Sequence, residues 1–302
     1  MSAFEGTLAA GLVFATTLNL AALGGVFTQK VGTWNVALEG FILSAAFSAV
    51  LISYRTGSAW LGLAGGIATG LVLGLLMAFV VVTLGADEII AGLAINLLAL
   101  GGTNFLLPIV FPGFQGAVVS NKIIPLPNVS IPGLNAVPVL RAFDHQSVLV
   151  WVGFALVPLV TLVIARTGFG LALRAVGEAP EAAVASGIGA YRMRYAAFAV
   201  SGALCGVAGA QLTLGFTDLF SQDMTSGVGY IAFAAVVFGA AFPPLVFLGA
   251  LVFGLAEAIV IQVGSNVIPS QFISTVPYLV AIVALVVLSQ RRRARRLAAT
   301  TI

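Results

Sequence analysis

The sequence predicts an all-α polytopic membrane protein with about nine transmembrane helices, eight to ten within the softness of their boundaries. Three observations carry this. Of 302 residues, 60% are hydrophobic and only 8% charged, and the mean hydropathy is +1.14. A soluble domain carries about 25% charged residues, so this chain lacks the polar groups to cover itself in water, and lipid is its solvent. The apolar residues fall into recurrent segments close to the roughly 20 residues that cross a bilayer. Finally, five of the thirteen basic residues lie in one run, Arg291 to Arg296, directly after an apolar segment. That is the flank of a membrane span on its cytoplasmic side rather than a nucleic-acid surface.

The segments are read in order at 6–28, 35–54, 58–84, 88–111, 147–165, 195–215, 226–241, 243–263 and 273–289. The start "MSAFEGTLAAGL" has Glu5 and no basic region, so the first segment is expected to be a retained span rather than a cleaved leader. The 58–84 run is long for one helix, and "GLAGGIATGLVLG" is expected to bend or split it. "AAFPPL" (Ala240 to Leu245) reads as a tight turn between two short helices. The whole chain, 1–302, forms one transmembrane domain with a basic tail at 290–302.

Orientation follows the basic residues. Arg166, Arg174, Arg192 and Arg194 surround one loop, and four segments separate it from the Arg291–Arg296 run, so both face the cytoplasm. Counting back places Asp87, Glu88 and Lys30 inside, and Arg55 and the N-terminus outside. The Pro- and Asn-rich loop 112–146 lies outside as a cap with a short helix or hairpin.

Within the inner loop, 166–194, the stretch "RAVGEAPEAAVASGIGAYRMR" is polar against its surroundings. Pro180 suits a first helical turn, where its missing N–H costs nothing. Glu178 and Glu181 lie near the positive end of the helix dipole. Gly187 suits the left-handed residue after the helix, and Ile188 the apolar contact that follows it. The result is a helix of about two turns over 180–186, too short to be stable alone in water. Two readings stand: a loop resting on the membrane face, or a docking helix with a smooth alanine surface, Ala182 and Ala183, for a cytoplasmic partner.

Several chemistries are missing. Neither lysine, Lys30 nor Lys122, follows a Gly-rich phosphate loop, so no Walker nucleotide site is expected. One His (His145) and one Cys (Cys205) exclude the usual metal clusters and any disulfide. No cofactor, metal or catalytic residue is expected, and no nucleic acid; the chain is read as a non-enzyme. Charge and amide inside a membrane are expensive and mark a path or a partner. The candidates are Asn35 and Glu39 in "WNVALEGF", and Asn96 and Asn104, read as sharing a helix face. Each has a structural alternative: holding loosened backbone, or packing between helices. Glu257 reads as structural, and Asp218, Gln222 and Asp223 as an outer gate or docking face.

"GEAPEAAVASGIGAYRMR" resembles the coupling-loop motif of ABC-importer permeases, a Glu-Ala-Ala-like helix followed by Gly-Ile. "GTWNVALEGFILSAAF", "ADEIIAGLAINLLALGGTNFLL", "SGALCGVAGAQLTLG" and "FSQDMTSGVGYIAFAAVVFGAAFPPL" resemble, in this order, the nucleoside (guanosine-type) permeases of that group. The chain departs where it has "AFPPL" in place of an Asn-Pro-like pair. The resemblance implies a subunit of a bacterial cell-membrane importer, paired with a second, related permease as a heterodimer. It implies partner ATPase subunits, which hydrolyse the ATP, and an extracytoplasmic binding lipoprotein that delivers a nucleoside. It assigns ATPase coupling to Glu178, Pro180, Glu181, Ala182, Ala183, Gly187 and Ile188, with Arg174, Arg192 and Arg194 pairing with acids of the ATPase. It places Asn35 and Glu39 near a broken helix beside the central path. The alternatives are the same machine for a simple sugar or branched-chain amino acid, and an ion-driven secondary transporter, which would require two similar halves that the sequence does not display.

Overall fold

In the computed structural model, residues 3–111, 117–119, 123–130 and 140–267 are described. Long apolar runs in lipid have one local solution, the helix, because it satisfies backbone N–H and C=O groups internally. Ten helices result among the described residues: α1 (Ala3–Lys30), α2 (Leu38–Thr56), α3 (Ala59–Ala78), α4 (Glu88–Val110), α5 (Val148–Arg166), α6 (Gly168–Glu178), α7 (Pro180–Ala185), α8 (Ala190–Leu212), α9 (Val228–Phe238) and α10 (Pro243–Val267). Seven of these are long and apolar enough to cross a membrane. The segment expected at 273–289 and the basic tail lie outside the described residues.

Burial sorts the helices into layers. The crossing of α1 is 89% buried, that of α8 72% and that of α2 67%, against 28% for α4. The inner three carry the core, with Leu20, Leu23, Phe41, Ile42 and Phe198 fully enclosed. α3, α4, α5 and α10 surround them and present leucines, valines and phenylalanines outward, as lipid or a partner subunit requires.

Gly66, Gly70 and Gly74 recur every four residues along one face of α3 and meet Gly202 and Gly206 of α8 backbone to backbone. A Cβ at any of these positions would strike the facing main chain, so the small-residue stripe sets the helix separation. The glycines expected to split the 58–84 run therefore do not. α3 is continuous and ends in a π-helical turn, Phe79–Thr83.

The 226–263 run was expected as two short helices around a tight turn. The first is short: residues 222–227 are non-helical and α9 has 11 residues, which makes this a broken crossing, whereas α10 runs for 25. At 1.5 Å per residue α9 spans about 16 Å, half a bilayer core. The turn at 239–242 follows, with Ala240 and Ala241 both left-handed (φ 49° and 50°), and Pro243 opens α10 at a position that needs no N–H. One helix falls outside the expected segments: α6 is amphipathic, with Gly170, Leu173 and Val176 buried, and lies before α7 within 166–194.

The two ends differ. At one, β1 (Ala117–Val119) pairs antiparallel with β4 (Leu219–Ser221), and β2 (Asn128–Val129) with β3 (Gln146–Ser147). The backbone of Ile124 donates to Ser53 Oγ and that of Leu126 to Leu214 O, which ties this cap to α2 and α8. At the other end are Lys30, Arg166, Arg174, Arg192 and Arg194 with α6 and α7.

Candidate functional site

The polar residues inside the bundle gather where α2 begins. α1 ends at Lys30 and α2 starts at Leu38, and the chain between is non-helical yet largely buried at Val31, Thr33, Asn35 and Ala37. A non-helical stretch at membrane depth must find partners for its backbone. Asn35 Oδ1 accepts from the Ala37 N–H at 3.1 Å, and its Nδ2 donates to Ser201 Oγ of α8 at 2.9 Å. Asn96 of α4 supplies three more bonds: its Oδ1 accepts from the Gly40 N–H (2.8 Å), and its Nδ2 donates to Val36 O and to Tyr230 Oη (both 3.0 Å). Asn96 sits eight residues into α4, about 12 Å above its first turn.

Glu39 closes the arrangement. Its two carboxylate oxygens accept from the backbone N–H groups of Gly227 (2.9 Å) and Gly229 (2.5 Å) at the start of α9. An ionised carboxylate holding two N–H donors at a helix N-terminus makes the stronger, charge-assisted kind of bond. Both glycines are needed. Gly227 has φ +96°, and a Cβ on Gly229 would run into the Glu39 backbone. The starts of α2 and of the short helix α9 are thus locked by one carboxylate.

The structure brings Asn35, Glu39 and Asn96 into one network and leaves Asn104 out of it. Asn96 and Asn104 do not share a face: eight steps of about 100° put them about 80° apart. Asn104 is half-buried, and its Oδ1 is enclosed with no partner among the described residues. The sequence reading missed Ser201, Tyr230 and the Gly227–Gly229 pair. The last had a legible signal, since "SGVGY" opens an apolar helix with two bare N–H groups that suit an acid.

Beside this network the surface is aromatic. Trp34 is 36% exposed and Tyr230 38%. The Trp34 ring meets the half-buried Phe233 edge-on, with centroids 5.5 Å apart, and its backbone N–H donates to Glu88 Oε2 at 2.9 Å. At the opposite end, Asp218 caps the π-helical turn Thr213–Thr217 in the left-handed conformation (φ 52°), and partial desolvation lifts its carboxyl above the ordinary carboxylate range.

At the basic end α7 runs over Pro180–Ala185, with Pro180 in its first turn. Gly187 is left-handed (φ +84°). The Ile188 N–H donates to Ala183 O and the Gly187 N–H to Val184 O, both at 2.9 Å. These two bonds form the Schellman closure of the helix. Glu181, Ala182, Val184 and Ala185 are exposed, whereas Ala183 is turned into the core. The smooth outward surface is therefore Ala182 with Val184 and Ala185, not Ala182 with Ala183. Arg192 is exposed, and Arg174 and Glu178 line a cleft of about 230 Å3 with Gln29, Lys30, Ala240 and Ala241. The cleft joins α1, the last turn of α6 and the turn after α9, so the segment bearing α7 touches the broken crossing. Tyr191 and Tyr195 of α8 stack at 5.0 Å, and both hydroxyls bond Thr83 at the end of α3.

The family described as branched-chain amino acid transport system / permease component matches residues 7–288. Among curated proteins, the chain is 36% identical to the guanosine ABC transporter permease protein NupQ of Bacillus subtilis, over 91% of this chain and 89% of that one. It is 34% identical to a Haloferax volcanii protein named as a glucose ABC transporter permease, TsgC13, over 86% and 78%. It is also 34% identical to the nucleoside ABC transporter permease protein NupC of Lactococcus lactis, over 91% and 89%. A solved structure described as an inward-facing conformation of a metal-chelate type ABC transporter superposes with a TM-score of 0.53 at 15% identity, covering 95% of this chain and 85% of that one. At that identity the likeness concerns the fold.

Proposed function

The chain belongs to the branched-chain amino acid transport system / permease component family, and from that premise we propose that it is the membrane subunit of an ATP-driven importer of nucleosides. The carrying observation is α7: a six-residue helix at the basic end, opened by Pro180, closed at its C-terminus by Gly187 and Ile188, and showing an exposed alanine-valine surface. Such a helix gains little by itself and is suited to a groove on a partner. The sequence has no Walker loop, and in this reading the motor belongs to a partner ATPase subunit. A second permease and an extracytoplasmic binding lipoprotein complete the machine. The basic end faces the cytoplasm with the C-terminus. Residues 166–194 are the coupling loop, in which Pro180, Glu181, Gly187 and Ile188 shape the helix and Glu178 faces the cleft beside it. Asn35, Glu39 and Asn96 hold the starts of α2 and α9 beside the solute path, and Asn104 borders it.

The nucleoside assignment leans on the names of the guanosine and nucleoside relatives. The glucose-named relative supports the second reading, a simple sugar. Uptake by the complete transporter in energised vesicles separates them. Labelled guanosine should enter only with ATP and the binding protein present, and unlabelled glucose should not compete. Entry of labelled glucose under the same conditions, with no entry of guanosine, would transfer the assignment to a sugar.

A further inference from the structure

The geometry points to Trp34, Tyr230 and Phe233 as the surface on which the transported base stacks; this rests on the nucleoside reading above. This face cannot meet hydrocarbon. Behind it lie the Glu39 carboxylate, Asn35 and Asn96, of which Asn96 stands about 12 Å along α4 from Glu88. Beside it runs non-helical backbone at 31–37 and 222–227. Irregular backbone at membrane depth is tolerated against protein or a water-filled cavity, not against hydrocarbon. A face built from these segments therefore looks into the assembly.

What the face offers is specific. Asn35, Glu39 and Asn96 use their polar atoms on the protein itself. They position the site and have little left for a solute. The exposed groups are rings. Phe233 follows Tyr230 by three residues on one face of α9, and Trp34 meets Phe233 edge-on, which fixes the indole against the phenyl ring. Tyr230 Oη accepts from Asn96 Nδ2, which fixes the ring and leaves its own O–H free to donate outward. Two aromatic faces with one hydroxyl donor suit a flat, neutral heteroaromatic ring carrying an acceptor, which is a nucleobase. The Glu39 lock places the start of α9, and so Tyr230 and Phe233, at the hinge of the broken crossing, where motion of the coupling segment would change the spacing of the stack.

The test uses the assembled transporter in nanodiscs with Trp60 and Trp151 replaced by Phe, so that Trp34 is the one reporter among the three tryptophans of the chain. Guanosine should quench Trp34 saturably, ribose should not, and Y230F should weaken the response on the order of tenfold, the cost of one stacking or hydrogen-bond contact. W34F should retain part of the maximal uptake rate and W34L should lose most of it. Import of guanosine without saturable quenching would overturn the stacking surface and leave the nucleoside function standing. Quenching of Trp34 by brominated lipid chains would overturn it as well, by showing that the face meets hydrocarbon. Failure to import guanosine at all would overturn the nucleoside reading and this assignment with it.

Discussion

Glu39 shows how one residue decides local architecture. A carboxylate in a bundle is tolerable when each oxygen has a donor, and here both oxygens hold backbone N–H groups at the start of α9. E39Q keeps the shape but turns an NH2 group toward an N–H donor. The expected loss is about 1–3 kcal/mol of stability, read as a lower midpoint in thermal unfolding of the detergent-solubilised protein. G229A should be worse, because its Cβ has no space against the Glu39 backbone; an unchanged midpoint in both would remove the lock. Glu39, Asn35 and Asn96 stood out in the sequence because polar residues are rare in such segments. Their partners did not, since Tyr230 and Ser201 lie 134 and 166 residues away from Asn96 and Asn35, and no local pattern encodes such pairings.

Among the elements, α7 was the most legible. Its Pro start and Gly-Ile end are local chemistry, and the structure closes it with the expected left-handed Gly187. Which alanine faces outward was not legible, because a six-residue helix has no periodicity to read. Ala182 and Ala183 consequently separate docking from folding. A182R should leave the membrane domain folded and monodisperse, whereas A183R, forcing a charge into the core, should reduce the yield of folded protein in size-exclusion chromatography. The α3–α8 contact offers another prediction. G70L should push the helices apart and abolish the folded peak, because the facing atoms are main chain and cannot yield. The broken crossing at 222–238 was hidden for a different reason: hydropathy counts apolar residues and is indifferent to whether their backbone is helical.

For the whole molecule, the bilayer did most of the specifying. Composition and the positions of arginines set the class, the approximate spans and the basic end. They could not sort inner helices from outer ones, because α1 and α4 are both apolar and differ in whether small residues let neighbours close on them. The arrangement has a mechanical consequence. α6, which α7 follows after Ala179 alone, shares the cleft at Lys30, Arg174 and Glu178 with the turn after α9, and α9 joins α2 through Glu39. A pull on α7 is thereby transmitted to the starts of α2 and α9 beside the aromatic surface, a rigid-body route between two packings. The most direct measurement of that coupling follows guanosine uptake and ATP hydrolysis together in the complete transporter carrying A182R. The account predicts that hydrolysis continues while uptake falls at least about tenfold, since losing a docking contact of roughly 1.4 kcal/mol already costs that much. Undiminished uptake in a folded A182R transporter would contradict it.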